Sequence, residues 1–171
     1  IDHMLVYTNS NQIDEVQEIV NREGLIQHKF TYRENSAERA KILDGFEKGE
    51  YDALIAMKCL DEGVDVPATK QAILMSNTGN PMQFIQRRGR VLRRFPNKEK
   101  SIIYDFVVVP SKHPDASLIS SDRTILEKEL RRFEEFAETA DNERQANIKL
   151  RSLRIRYEIP EVETDPSEDT E

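Results

Sequence analysis

Residues 53–94 read ALIAMKCLDEGVDVPATKQAILMSNTGNPMQFIQRRGRVLRR. Their order decides the fold class. Ala53 to Met57 is a short apolar run, long enough for a buried strand. It leads into a turn with carboxylates and a glycine, Asp61-Glu62-Gly63-Val64-Asp65-Val66-Pro67. Gln71 to Ser76 is a second apolar run, followed by the polar turn Asn77-Thr78-Gly79-Asn80. Asn80-Pro81 marks a helix start, with Asn as N-cap and Pro at the first helical position. That helix passes through Phe84 and Ile85 into a run of arginines.

The same alternation extends upstream. Met4 to Thr8 reads as a buried strand. Ser10 or Asn11 caps a helix to about Glu23, with Ile13, Val16 and Val20 on one face, and Gly24 ends it. Leu25 to Tyr32 is a weaker strand. Ser36 caps a helix carrying Ala40, Leu43 and Phe46, closed by Gly49. Downstream, Ser101 to Val109 is the last strand. Strands alternating with helices predict an α/β fold, a mainly parallel sheet covered on both faces.

Five of the nine residues 86–94 are arginine: Arg87, Arg88, Arg90, Arg93 and Arg94. Guanidiniums this close repel one another unless an anion is near, and arginine binds phosphate bidentately without losing its proton. Gly89 lets a backbone or ligand approach closely. A solvated basic helix end explains the cluster equally well on its own. Context favours a ligand, because carboxyl ends of parallel strands are where open α/β sheets bind them. The glycine turn, the polar turn and the arginines all follow such ends.

Here the chain resembles a known family. Gln86-Arg87-Arg88-Gly89-Arg90-Val91-Leu92-Arg93 is similar to motif VI of superfamily 2 helicases, and Asp61 to Pro67 to motif V. Leu5-Val6-Tyr7-Thr8-Asn9-Ser10 resembles motif IV, and Glu38-Arg39, Leu43 and Phe46 fit the pattern between IV and V. The resemblance covers roughly residues 4–109. It is nearest to DEAD/DEAH-type archaeal and bacterial DNA helicases related to repair helicases and restriction-system translocases. It implies a RecA-like three-layer α/β/α lobe with a C-terminal helical extension.

The resemblance also implies roles. Arg90 and Arg93 would be arginine fingers reaching a γ-phosphate held by another lobe. Gln86 would sit at the lobe interface near the nucleotide. Gly63 and Asp65 would approach the nucleotide, Asp65 toward the ribose hydroxyls. Thr8, Asn9 and Ser10 would meet the nucleic-acid backbone, together with Lys58 and Thr78. One position departs from the family. Met57 stands where a phosphate-binding threonine is common, and Lys58 is the candidate replacement, as a point charge.

Other parts of such a motor are not found in this sequence. No Gly-x-x-x-x-Gly-Lys-Ser/Thr loop is present, and Gly45-Phe46-Glu47-Lys48-Gly49 lacks its spacing. No Asp-Glu-x-His/Asp follows a strand to hold Mg²⁺. ATP and Mg²⁺ are therefore expected mainly on an N-terminal RecA-like lobe, and the chain alone is expected not to hydrolyse ATP. Residues 1–4 are read as a cloning remnant, 5–110 as the lobe, 111–157 as the helical extension and 158–171 as an acidic disordered tail.

Composition narrows the remaining classes. The net charge of −7 argues at first against nucleic acid. Seven acids lie from Glu158 onward with no Lys or Arg among them, so the rest of the chain is about neutral and its cations cluster. A single cysteine, Cys59, excludes an intrachain disulfide, and with three dispersed histidines it leaves no metal site. His28 reads as an exposed strand residue, and His113 as a loop residue. Tyr7, Phe30, Tyr32, Phe84 and Phe106 read as core or sheet residues rather than a base-stacking platform. No apolar run spans a bilayer, and a cytoplasmic or nucleoid location is expected. The chain is expected to be monomeric.

After Pro110 the pattern becomes helical from about Asp122. Leu126, Leu130, Phe133, Ala137 and Ala140 form one stripe. Asp141-Asn142 breaks it, and Ala146, Leu150, Leu153 and Tyr157 resume it. Two helices, or one kinked helix, would pack on the lobe or on a missing partner. Lys149, Arg151, Arg154 and Arg156 are open to two readings, nucleic-acid contacts or a solvated face. Three functions follow: a DNA helicase motor lobe, an RNA helicase lobe, or a non-enzymatic module using arginines for phosphate backbone alone.

Overall fold

The structure is a computed structural model that describes residues 2–57, 66, 68–75, 89, 91, 93–109 and 120–160. Five strands, β1 (Met4–Tyr7), β2 (Gln27–Phe30), β3 (Ala53–Ala56), β4 (Gln71–Leu74) and β5 (Ile102–Asp105), form one sheet. Its order is β2-β3-β1-β4-β5. Every pairing is parallel. Four helices are described: α1 (Ile13–Arg22), α2 (Ser36–Glu47), α3 (Ser120–Ala137) and α4 (Glu143–Tyr157).

All four residues of β1 and all four of β3 are buried. Such continuous apolar strands are what a sheet covered on both faces requires. Side-chain alternation assigns the two faces. Met4, Val6, Ala53 and Ile55 pack with Ile13, Val16 and Val20 of α1. Residues of opposite parity meet α2. Phe46 receives the His3 ring edge-on at 5.3 Å, and the Arg39 guanidinium lies 5.7 Å from the Phe30 ring centre. One helix therefore lies on each face, the RecA-like layering that the sequence predicts.

Local details differ from the expectation at the helix starts. Helix α1 is entered through Asn9, whose Oδ1 accepts the N–H groups of Asn11 and Gln12 at 2.9 and 3.1 Å. Ser10 and Asn11 are thus inside the turn, not the cap. Helix α2 is capped by Asn35, one residue earlier than Ser36. Asn35 Oδ1 accepts from Ala37 and Glu38 N–H while Glu38 Oε2 accepts from Asn35 N–H, a reciprocal capping box. The buried face of α2 is Ile42, Gly45 and Phe46, and Ala40 is exposed. Of Ala40, Leu43 and Phe46, Phe46 is buried and Leu43 half-buried, and only Ala40 falls outside the covered side. Ile42 and Phe46, four apart, share that buried face.

Strand β2 is shorter than the Leu25–Tyr32 run and lies at an edge with polar Gln27, His28 and Lys29, which discourages pairing with another chain. His28 is half-buried, with Tyr51 edge-on at 5.2 Å. Tyr32 is 70% exposed and Phe106 56% exposed, so neither belongs to the core. Asp2 pairs with Lys70, and the backbone carbonyl of His3 accepts from Lys70 N–H at 2.9 Å.

The chain separates into two compact units, Ile1–Phe106 and Val107–Glu171. In the second, α3 and α4 pack on each other. Leu126, Leu130 and Phe133 of α3 meet Leu150, Leu153 and Tyr157 of α4, with Val107 and Ile159 closing the cluster. The apolar stripes read from the sequence are thus one helical hairpin, joined through residues 138–142. Arg154, only 5% exposed, binds Glu134 through two bonds of 2.8 and 2.7 Å and also donates to the carbonyl of Pro160. It is a structural residue, which removes it from the nucleic-acid candidates. Removing Glu134 strands a buried guanidinium, whereas Arg154→Leu keeps an apolar stem and leaves no buried charge. We expect Glu134→Ala to cost about 3 kcal/mol, because Glu134 is partly exposed, and Arg154→Leu to cost less. Hydrogen exchange on α3 and α4 measures both, and the reverse ranking would refute the argument.

Candidate functional site

Because all strands run the same way, their carboxyl ends share one edge. Main-chain bonds extend this edge one residue past the strands. Thr8 N–H donates to Ala56 at 2.9 Å, Met57 to Phe30 at 3.3 Å and Met75 to Tyr7 at 2.9 Å. Thr8, Met57 and Met75 are therefore held level, on three adjacent strands. From Met57 the chain continues toward Gly63 and Asp65, and from Met75 toward Thr78, Gln86 and Arg90. Those six residues apart from the methionines — Lys58 included with Gly63, Asp65, Thr78, Gln86 and Arg90 — lie outside the described residues. So do Cys59, Phe84, His113, the helix start at Asn80-Pro81 and the tail from residue 161.

The three residues after β1 differ in availability. Thr8 is 4% exposed, and its hydroxyl is buried with no hydrogen-bond partner among the described residues. Asn9 is occupied on both ends of its amide: Oδ1 accepts the two turn N–H groups, and Nδ2 donates to Gln12 Oε1 at 2.7 Å. Ser10 is exposed. The first turn of α1 also carries Asp14 and Glu15, whose charges oppose a phosphate at that helix end. Asp14 is held below the usual carboxylate range, first by its hydrogen bond from Lys29 and then by that ammonium's charge. Of the three, Ser10 presents the accessible hydroxyl.

The arginine segment is described at Gly89, Val91, Arg93 and Arg94. Gly89 and Val91 are helical. Val91 is buried at 1%, and Arg93 and Arg94 are exposed. A Cβ placed on Gly89 would meet nothing within 4 Å. No neighbour among the described residues needs that glycine. The backbone after Val91 is fixed by two residues that the sequence reading missed. Lys98 Nζ donates to the carbonyls of Val91 and Arg93 at 2.6 and 2.8 Å, and Ser101 Oγ donates to Val91 at 3.0 Å. A cation on the last carbonyls is a recurrent helix ending.

The turn Phe95-Pro96-Asn97-Lys98 brings Lys98 back. Asn97 has φ of 62°, and Lys98 N–H donates to Phe95 at 3.1 Å. Proline followed by asparagine is the signal that could have located it, since proline presets the turn and asparagine tolerates positive φ. The exposed arginines thus project from a segment anchored by one buried valine, one lysine and one serine.

Residues 1–95 match the family described as the helicase conserved C-terminal domain. The chain belongs to that family. It is 45% identical over 73 residues to the DNA 3'-5' translocase XPB2 of Sulfurisphaera tokodaii, covering 43% of this chain and 16% of that protein. It is 38% identical over 68 residues to Dicer-like protein 2 of Cryphonectria parasitica, covering 40% and 4%. The chain therefore spans about one sixth or less of these relatives. Its fold is similar to the C-terminal domain of the DEAD-box protein Dbp5, with a TM-score of 0.54 and 19% identity over 77% of this chain and 69% of that one. The helicase resemblance and the RecA-like fold both stand.

Hydrogen bonds to charged groups contribute roughly 1.5–3 kcal/mol each. We expect Lys98→Met to lower stability by about 2 kcal/mol, at the low end for two shared bonds on an accessible ammonium, and Ser101→Ala by about 1 kcal/mol. Urea denaturation measures both. Equal stability of wild type and Lys98→Met would show that the arginine segment is anchored otherwise.

Proposed function

We propose that this domain is the C-terminal motor lobe of an ATP-dependent DNA helicase or translocase. The supporting observation is the common carboxyl edge, at which β1, β3 and β4 end level, with the glycine turn next in sequence after β3 and the arginine segment next after β4. Arg90 and Arg93 act as fingers on phosphate held by an N-terminal RecA-like lobe. Their guanidiniums are permanently charged and donate in a planar fork, which suits charge developing on phosphoryl oxygens. Gly89, without a side chain, would let that lobe approach the segment carrying them. Asp65 and Gly63 face the nucleotide, with Gln86 at the junction. Mg²⁺, when bound with ATP, neutralises phosphate charge, and the residues that hold it belong to the other lobe. The isolated chain does not hydrolyse ATP in this reading.

Ser10, with Lys58 and Thr78, contacts nucleic-acid backbone along the same edge. Thr8 and Asn9 support the turn that presents Ser10, a narrower role than direct contact for all three. DNA is preferred over RNA because the 45% identical relative is named as a DNA translocase. A cytoplasmic or nucleoid-associated location and a part in DNA repair belong to the same reading.

In the full-length protein, Arg90→Ala is expected to reduce ATP turnover by roughly 10³-fold or more while DNA binding stays within a fewfold. Unchanged turnover would defeat the finger assignment. Gly89→Ala separates folding from function. With no clash and a helical backbone, it should leave the chain as stable or about 0.5–1 kcal/mol more stable. Turnover should nevertheless fall, because the added methyl occupies the approach to the other lobe. Comparing stimulation by single-stranded DNA, duplex DNA and RNA tests the substrate, and stronger stimulation by RNA would reverse the choice.

A further inference from the structure

Helix α4 carries two apolar seams. One, formed by Leu150, Leu153 and Tyr157, is buried against α3. The other consists of Ile148 and Ile155, exposed at 61% and 71%. They are seven residues apart and lie nearly in line along the helix. Arg144 and Arg151 flank them on one side, Lys149 and Arg156 on the other, and all four cations are exposed. A shallow depression lined by Glu143, Arg144, Asn147, Ile148 and Arg151 runs beside the first isoleucine.

The spacing is a repeat. Residues 144–150 read RQANIKL and residues 151–157 read RSLRIRY. Arginine, isoleucine and a further cation recur at the same three places. A solvated face requires the cations but not two aligned isoleucines, and scattered exposed apolar residues need no alignment. A phosphate backbone would use the cations and leave the isoleucines in water. A seven-residue apolar repeat bordered by charge is the pattern by which one helix receives another, the apolar positions packing as knobs and the flanking charges selecting the partner. The helix carries one acid, Glu143, in its first turn. The same face of a second copy would therefore set cation against cation.

We propose that the solvent face of α4 docks an acidic amphipathic helix of a partner protein. Ile148 and Ile155 pack into that helix, and Arg144, Lys149, Arg151 and Arg156 pair with glutamates or aspartates beside its apolar seam. Charge complementarity selects this occupant, and the heptad spacing fixes its geometry. The site lies wholly on the second unit, on residues other than the candidate nucleotide and nucleic-acid residues, and does not depend on ATP hydrolysis.

The probe is a fluorescein-labelled synthetic helix of about three heptads, with leucine at the two seam positions and glutamate at the two flanking positions. Titration of the chain, read by fluorescence anisotropy, should show saturable binding that weakens with salt. Ile148→Asp and Arg144→Glu should each reduce affinity by ~10-fold or more. Circular dichroism checks that the variants keep their helices, and Ile148→Ser serves if Ile148→Asp does not. The same probe with lysine replacing glutamate should not bind. Absence of saturable binding, or binding indifferent to both Ile148 variants, overturns the proposal. So does dimerisation in sedimentation equilibrium that Ile148→Asp abolishes, which would assign the face to a second copy. An oligonucleotide that binds through Arg144 and Lys149, with no binding of the acidic probe, would assign it to nucleic acid.

Discussion

The hydrogen bonding of β1 on both sides, to β3 and to β4, is the constraint on which the lobe depends. A strand paired on both edges and covered on both faces must be apolar throughout, and Met4 to Tyr7 is. Parallel pairing then fixes direction. Every strand must end at the same edge, so every loop that leaves a carboxyl end starts there. Residues far apart in sequence are brought level without any direct contact between their side chains. Thr8, Met57 and Met75 are the visible case, one main-chain bond beyond the strands.

That geometry divides the labour among neighbouring residues. Asn9 closes the turn into α1, and Thr8 is buried, so Ser10 is left to face outward. In the arginine segment Val91 faces inward, and Lys98 and Ser101 hold its carbonyl, while Arg93 and Arg94 face outward. In both places the residues that could touch an anion depend on neighbours that spend their own polar groups on the backbone. An exposed guanidinium is useful in phosphoryl transfer only if its base is fixed, because misplacement by an ångström is costly.

Much of the fold was legible in advance. Short apolar runs separated by helical periodicity gave the parallel sheet, and three motifs in order gave the family. Phase and partnership were harder. Ala40 and Ile42 are both apolar and only two residues apart, and a helix wheel alone does not say which of them meets a sheet. Tyr32 and Phe106 are aromatic in strand-like runs, yet each falls just past the last paired residue, where cover ends. Arg154 looked like its basic neighbours. Its role came from Glu134, twenty residues away, whose position depends on how two helices cross. Lys98 was overlooked because its function is to reach back to Val91 and Arg93 around a turn, a contact no local pattern of charge announces.

The sequence by itself determined the strand and helix alternation, the family and the candidate phosphate ligands, because apolar periodicity and motif spacing are properties of the chain read along its length. Tertiary structure decided which of those residues are structural and which face outward. Burial and pairing depend on what lies across space, as when Arg154 finds Glu134 and Gly89 finds nothing among the described residues. It also decided that the two stripes after residue 110 cover each other. That packing turns Ile148 and Ile155 to solvent, since a helix can bury one seam against a neighbour and must present the opposite one.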